Sequence, residues 1–344
     1  MSQSFHFRIT EEDAGRRLDE FLASRFGQLS RMRIGNLVSA GACKINRLEA
    51  QRGWRISAGD LVEIAFDEGP PTAMEPDDIP LEVAYEDEHL IVVVKPAGML
   101  AHPTRNVKRG TLANALAYHL NQDFYSALRT PAHGERHSLT RPGLAHRLDR
   151  ATSGLMVVAK THRALSRLSD HFHRRLVEKR YLALVGGRVG EDAGEIKAPI
   201  GRDINRLPLW WVMEGGKPAV TRFSVSERFD RATLLELEPV TGRTNQLRIH
   251  CAYYGHPILG DELYFDCGLR IAGCGLKDMS MSLKLEIRNQ ESATRNPQSA
   301  ILNRLCLHAC RLAFHHPVGG QRMEFASPLP GDIARLISAM REGE

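Results

Sequence analysis

The sequence of 344 residues contains no apolar run approaching the roughly 20 residues that a bilayer-spanning helix needs. Residues 1–8 also lack the apolar core of a secretory signal peptide, so we expect a cytoplasmic protein without a membrane partner. The six cysteines are scattered and form no C-x-x-C pair, which argues against a zinc site. In a cytoplasmic chain such cysteines are expected to stay free thiols, and no metal is predicted.

The patterns of common nucleotide-dependent enzymes are missing as well. Residues 146–149 read H-R-L-D, whereas the catalytic loop of protein kinases reads H-R-D-L, and the sequence has no G-x-G-x-x-G, D-F-G or A-P-E. Residues 215–218 read G-G-K-P but are no phosphate-binding loop, because Trp211 and Pro218 occupy positions that require Gly and Ser or Thr. These absences argue against phosphoryl transfer.

A modest positive charge is the main compositional hint of a partner. The formal net charge is +5 and the isoelectric point about 8.9, which permits a nucleic-acid partner without establishing one. Hydrophobic residues make up 42% of the chain and charged residues 25%, so a full core can be buried. The length favours two domains over one.

Residues 67–94 contain no Lys or Arg, but they hold nine acidic residues and four prolines. Acidic, proline-rich sequence is typical of an extended and solvated linker. We therefore predict three parts, namely a small module over residues 1–66, a linker over 67–80 and a larger domain over 81–340.

The small module shows two helical patterns followed by strand-like segments. Apolar residues recur at helical spacing between Leu18 and Phe26, and a second helix is predicted to follow an N-cap at Ser30. This order resembles the alpha-L RNA-binding module, a small fold that many RNA-modifying enzymes carry. The resemblance makes Arg31 and Arg33 candidates for RNA contact, whereas isolated arginines on a helix are commonly just solvated.

Strand-like runs dominate the larger domain, at residues 90–94, 155–159, 181–185, 233–237 and 312–314. An amphipathic helix is predicted over residues 162–179, and its polar face carries Arg163, Arg167, Arg174 and Arg175. Strands mixed with a few helices in no regular alternation predict an α+β fold with a mainly antiparallel sheet. Residues 122–142 and 267–304 look like insertions.

The most informative segment is H-R-L-D-R-A-T-S-G at residues 146–154. It resembles the H-R-L-D-x-x-T-S-G pattern of the RluA family of pseudouridine synthases, with every fixed position met. Four other elements stand in the order that the family has. One, K-P-A-G at residues 95–98, precedes this segment. Three follow it, namely K-R-Y at 179–181, G-R-T-N-Q-L-R-I-H at 242–250 and G-H-P-I-L-G-D at 255–261. The resemblance covers the chain from about residue 80 to 330.

This resemblance implies a pseudouridine synthase fold and an isomerase that converts uridine in RNA to pseudouridine. It implies that Asp149 is essential and leaves its act open, whether attack on the ribose, attack on the base or abstraction of a ribose proton. Arg147 would enter the space that the flipped base vacates, or else contact a phosphate. Tyr181 would stack on the base, and its hydroxyl would assist proton transfer at C5. No cofactor is expected, because the reaction has no redox step and no external group donor.

The roles of the remaining candidate residues follow from two requirements, namely a charge partner for a buried carboxylate and a pocket for a flipped base. A buried aspartate stays ionised only if a cation holds its charge, and we assign that role to Arg248 through a charge-assisted contact with Asp149. Leu247 is expected to pack beside the base, and Lys95 to shape the wall of the pocket. Arg243 either binds a phosphate or braces a loop, and both interpretations stay open.

RNA is the expected partner, and the protein is expected to be a monomer. Target choice depends on RNA shape and loop contacts. The N-terminal module favours large-subunit ribosomal RNA, and transfer RNA is the alternative. A second hypothesis is a catalytically inactive RNA-binding homologue, against which the intact set of Asp149, Tyr181 and Arg248 argues. The motif histidines are expected to pack or hydrogen-bond, because no acidic or cysteine partners recur at metal-ligand spacing.

Overall fold

A computed structural model describes residues 2–26, 29, 31–67, 75–122, 141–202, 210–265 and 304–342 of the chain. The predicted N-cap Ser30 and all but the ends of the two predicted insertions lie outside these residues. In the described part of the chain, no helix combines the length and the apolar character needed to cross a membrane. The cysteines described there, Cys43, Cys251, Cys306 and Cys310, are free, whereas Cys267 and Cys274 are not among the described residues.

Helices and strands have the following bounds, with a short 3-10 turn at Glu11–Asp13. The helices are α1 (Leu18–Arg25), α2 (Arg31–Ser39), α3 (Leu112–His119), α4 (His162–His173), α5 (Gln246–Tyr253) and α6 (Gly331–Glu342). The strands are β1 (Ser2–Arg8), β2 (Cys43–Ile45), β3 (Leu48–Glu49), β4 (Leu61–Asp67), β5 (Glu82–Glu86), β6 (Leu90–Lys95), β7 (Gly143–Leu144), β8 (Ser153–Ala159), β9 (Glu178–Gly186), β10 (Ala193–Lys197), β11 (Ile200–Arg202), β12 (Trp210–Val212), β13 (Val220–Arg228), β14 (Ala232–Pro239), β15 (Leu307–His315) and β16 (Arg322–Ala326).

The chain divides into two compact units, of which the first comprises Met1–Asp78 and Leu116–Arg141. Its four-stranded antiparallel sheet has the order β1-β4-β2-β3 and shares a core with α1 and α2, the two predicted helices. Strand β1 is not predicted from the sequence, because Phe5 and Phe7 are its only large apolar residues. Both rings join an aromatic cluster, and they pair across the sheet with Ile64 and Val62 of β4.

The second unit comprises Ile79–Ala115 and Pro142–Glu344 and is built on one large sheet. Its main path has the order β10-β13-β14-β9-β15-β8-β6-β5, with β16 paired to β15 and β7 paired to β8. All of these pairings are antiparallel except that of β15 with β8, which is parallel. The predicted α+β fold with a mainly antiparallel mixed sheet is confirmed. Strands β6 and β8 are buried almost throughout, as expected for central strands covered on both faces.

The helix predicted over residues 162–179 is too long at its C-terminal end. Thr161 caps α4 by accepting a hydrogen bond from the Ala164 backbone, but the helix already ends at His173. Arg175 then adopts a left-handed conformation with φ of 59°, which turns the chain into β9. Leu176, which continues the helical spacing of apolar residues, is exposed as a result.

Gly154 permits the parallel contact between β8 and β15. Its φ is +120°, and a Cβ atom there would lie 2.3 Å from the carbonyl oxygen of Ala309. The glycine of the T-S-G motif is therefore needed for a close approach of two backbones. This contact joins β8, the strand that follows Asp149, to β15.

Replacing Gly154 with Ala is expected to destabilise the protein by about 4 kcal/mol or more, or to prevent folding, because neither backbone can yield without breaking the sheet. Gly215→Ala is a matched control, since Gly215 also has a positive φ but no atom lies within 4 Å of its Cβ position. That variant should lose only about 1–2 kcal/mol. Equal losses of unfolding free energy in the two variants would contradict the argument.

Candidate active site

Asp149 lies in the turn that leads into β8, and the preceding histidine holds that turn in place. The backbone carbonyl of Asp149 accepts a hydrogen bond from the Thr152 amide at 3.2 Å. His146 accepts one from the Val157 amide through Nε2 at 3.0 Å and stacks on Phe172 of α4 at 4.4 Å. Burial lowers the pKa of His146 to about 3, so the ring is neutral and acts as an acceptor. His146 therefore supports the turn rather than the chemistry.

Lys95 clamps the other side of the same turn. Its side chain is fully buried, and Nζ donates to the carbonyl oxygens of Pro96, Met99 and Arg150 at 2.8, 2.9 and 3.3 Å. Gly98 adds a second link, because its amide donates to the Arg150 carbonyl and its carbonyl accepts from Arg150 Nε. The K-P-A-G motif thus fixes the backbone next to Asp149. Burial lowers the pKa of Lys95 to about 7, against the opposing charge of Asp149.

Lys95→Met is expected to destabilise the protein by about 1–3 kcal/mol, because three carbonyl oxygens lose their donor. The wild-type protein should gain stability as pH rises between about 7 and 10.5, since the folded state releases this proton before the unfolded state does. The variant should lack that gain. Unfolding measured across this pH range tests both points, with the exposed Lys197→Met as control. A variant as stable as wild type, with the same pH dependence, would exclude the clamp.

Arg248 pairs with Asp261 rather than with Asp149. Arg248 Nε and Nη2 each donate to an Asp261 carboxylate oxygen at 2.7 Å, and both side chains are buried. Asp261 also accepts hydrogen bonds from the backbone amides of Leu263 and Tyr264. Among the described residues no hydrogen bond or ion pair joins Arg248 to Asp149, so the predicted direct contact is replaced by the pair with Asp261. Asp261 ends the G-H-P-I-L-G-D motif, and the sequence alone assigns it no role.

Arg248 still acts on Asp149 as a nearby charge. Although burial works against it, the hydrogen bonds and charge of Asp261 raise the pKa of Arg248, so its charge is fixed. Burial raises the pKa of the Asp149 carboxyl, and the positive charges of Arg248, Arg147 and Lys95 oppose that rise. The carboxylate is thus half-buried and has cations around it. A raised pKa makes it a stronger proton acceptor than a solvated aspartate.

Tyr181 lies on β9 between β14 and β15, where it faces Leu237 and Ala309 in the strand register. Burial raises the pKa of its phenol, and the charge of Asp149 adds to that rise. Tyr181 is therefore a neutral phenol within electrostatic reach of Asp149. Leu247 is buried in the core that packs against Tyr181.

The other candidate residues differ in what surrounds them. Arg147 is exposed, and its charge is felt by Asp149 and by His102. Arg243 Nε donates to the Pro218 carbonyl at 3.1 Å, which is the loop-bracing arrangement. Arg33 is half-buried on α2 in the first unit, and the side chain of Arg31 lies outside the described residues.

A buried polar chain beside the site was not found from the sequence. Arg304 Nη2 donates to Ser153 Oγ at 2.6 Å, and Ser153 Oγ lies 2.9 Å from His308 Nδ1. His308 Nε2 in turn lies 3.2 Å from Ser327 Oγ. Burial lowers the pKa of His308 to about 4, so the histidine is neutral. Because Ser327 Oγ donates to the Pro328 carbonyl, it accepts from His308 Nε2, and the neutral ring accepts from Ser153 through Nδ1.

Two further motif histidines, His250 and His316, are hydrogen-bonded within the fold. His250 lies 2.9 Å from Thr221 Oγ1 and 3.0 Å from the Ala198 carbonyl. His316 lies 3.0 Å from Asp87 and accepts from two backbone amides of its own turn.

Known proteins resemble this chain along most of its length. The family described as RNA pseudouridylate synthase matches residues 89–253. A ribosomal large subunit pseudouridine synthase D of Zymomonas mobilis is 36% identical over 336 residues, which cover 96% of each chain. An uncharacterised RNA pseudouridine synthase of Bacillus subtilis is 34% identical, covering 97% of each. The solved structure of human RNA pseudouridylate synthase domain containing 4 is 23% identical and covers 76% of this chain and 93% of its own, with a TM-score of 0.55.

Proposed function

The chain belongs to the RluA family of RNA pseudouridine synthases, which are isomerases, and on that premise we propose that its substrate is a uridine of large-subunit ribosomal RNA. The observation that carries this proposal is the similarity to the Zymomonas protein, whose name specifies the large ribosomal subunit and whose sequence aligns along nearly the whole chain. Transfer RNA is the alternative substrate. The cytoplasmic location and the monomeric state stay predictions.

In the proposed mechanism, Asp149 is the reactive carboxylate. Pseudouridine formation breaks the bond between C1′ and N1, joins C1′ to C5 and moves a proton from C5 to N1. Burial favours the protonated form of Asp149, and the positive charges of Arg147 and of Arg248, which Asp261 fixes in place, favour the ionised form. Three acts suit that carboxylate, namely attack on the ribose, attack on the base and abstraction of a ribose proton.

Tyr181 is assigned to the flipped base. A neutral phenol can stack on uracil through its ring and pass a proton near C5 through its hydroxyl. Its raised pKa makes it a poor phenolate base at neutral pH, so Asp149 is the better proton acceptor of the two. Leu247 would pack beside this assembly.

The remaining roles concern the RNA around the base. Extrusion of a base costs about a few kcal/mol, and we assign Arg147 to offset that cost, which its exposure and its charge near Asp149 support. We assign Arg243 to substrate binding through the loop that it braces by its hydrogen bond to the Pro218 carbonyl. Arg31 and Arg33 are assigned to RNA contact by the N-terminal module, residues 1–66, which residues 67–80 join to the catalytic domain, residues 81–340.

The substrate is tested with purified protein and unmodified transcripts of large-subunit ribosomal RNA and of transfer RNA. Chemical mapping of pseudouridine should detect product at a defined uridine of the ribosomal transcript. Product in transfer RNA alone would reject the ribosomal assignment while leaving the enzyme intact. Tight binding without product on either transcript would favour the inactive homologue.

A further inference from the structure

A row of arginines runs along the outer side of α4 and the turn that follows it. Arg163 and Arg167 are one helical turn apart, which is about 6 Å along the axis. Arg174 caps the helix and Arg175 follows in the left-handed turn, and all four side chains are exposed. We call these four residues the α4 basic face.

The α4 basic face is largely unneutralised. Only Arg174 has an acidic partner, Asp170 at 3.4 Å, whereas Arg163, Arg167 and Arg175 have none in the described ranges of the chain. Several other arginines of the same unit pair with carboxylates, namely Arg180, Arg222, Arg228, Arg311, Arg322 and Arg341. Three arginines without an acidic partner are therefore concentrated on α4 and the turn that follows it.

The C-terminal end of α4 packs against the segment that carries Asp149. Phe172 in its last turn stacks on His146, which lies just before Arg147 and Asp149 in the chain. Its inner side is fixed by Ala164 and Leu168, which are buried against the core of β6 and β8. The arginines therefore stand on a rigid element whose C-terminal end is anchored to the turn that carries Asp149.

We propose that the α4 basic face binds the phosphate backbone of the RNA that flanks the target uridine. This inference rests on the proposed function, since it assumes an RNA held at Asp149. Neutralising phosphates with arginine releases counterions, so each contact adds affinity that falls steeply with salt and carries no sequence information. The α4 basic face therefore holds the substrate without selecting the uridine.

The test is the double charge reversal Arg163→Glu/Arg167→Glu in the full-length protein. Its Kd for an unmodified ribosomal transcript should rise by about 10-fold or more near 0.1 M salt. The dependence of log K on log salt should become shallower by roughly 1.4–1.8, the contribution of two phosphate contacts. At saturating RNA, kcat should be unchanged, because neither residue touches the reacting base.

The control is Arg188→Glu/Arg335→Glu, which makes the same change in net charge at two exposed arginines away from α4. Its affinity and salt dependence should stay near those of wild type. The neutral variant Arg163→Gln/Arg167→Gln should lie between wild type and the reversal, and an unchanged Tm in both variants excludes misfolding as the cause. If the reversal and the control behave alike while wild type makes product, the α4 basic face does not bind RNA. If wild type makes no product on the ribosomal transcript but the reversal still weakens RNA binding relative to the control, the proposed substrate fails and the RNA surface stands.

Discussion

Asp149→Asn is expected to bind RNA as wild type does and to form pseudouridine at least about 10³-fold more slowly, because the amide can neither attack nor accept a proton. Asn keeps the shape of the side chain, and the backbone carbonyl of Asp149 that holds the turn is unaffected. Single-turnover product formation and RNA affinity, measured on the same transcript, separate chemistry from binding. Turnover near the wild-type rate would remove Asp149 from the mechanism.

The same variant should be more stable than wild type at neutral pH. Burial raises the pKa of Asp149, so the folded state holds this proton more tightly than the unfolded chain does. The protonated carboxyl therefore stabilises the folded state at a pH below 3.8, the ordinary pKa of aspartate. This stabilisation is lost as the pH rises through the raised pKa of the folded state. The Asn variant has no such loss, so its excess stability should shrink as the pH falls toward 3.8. A lower Tm for the variant at neutral pH would contradict this reading of the site.

Asp261→Asn is expected to produce the second large effect, because it leaves the buried Arg248 guanidinium without its bidentate carboxylate. Breaking such a pair from one side costs about 3–5 kcal/mol. The loss of kcat should reach about 10²-fold, since the cation that faces Asp149 is no longer held in place. Affinity for RNA should change little, because both residues are buried.

Glu227→Gln is the matched control for that experiment. Glu227 accepts two hydrogen bonds from Arg341 at 2.7 and 2.6 Å, but this pair is exposed. Its loss should cost at most about 1 kcal/mol and leave kcat unchanged. If Asp261→Asn lowers Tm but keeps the wild-type kcat, Asp261 supports the fold alone and does not position Arg248 for the reaction.

The sequence predicts local structure well where a pattern and its packing coincide. The apolar run at residues 90–94 lies within β6, and the run at 155–159 forms most of β8. The helical spacing that continues to Leu176 misleads, because periodicity cannot reveal that Arg175 takes a left-handed conformation. Strand β1 escapes prediction because its burial depends on pairing with β4, far along the chain.

The candidate site shows the same limit. The motifs identify Asp149, Tyr181 and Arg248 as a set, but not the partner of each charge. Arg248 and Asp261 meet because α5 and the turn after it converge, and spacing along the chain does not reveal that. The link from Ser153 to Arg304 joins residues about 150 positions apart, so only the folded sheet brings them together.

The central claim is tested most directly by mapping pseudouridine in ribosomal and transfer RNA from cells with and without the gene. Deletion should remove a pseudouridine from large-subunit ribosomal RNA, and the wild-type gene should restore it whereas Asp149→Asn should not. An unchanged map in both RNA classes, or restoration by Asp149→Asn, would contradict the account.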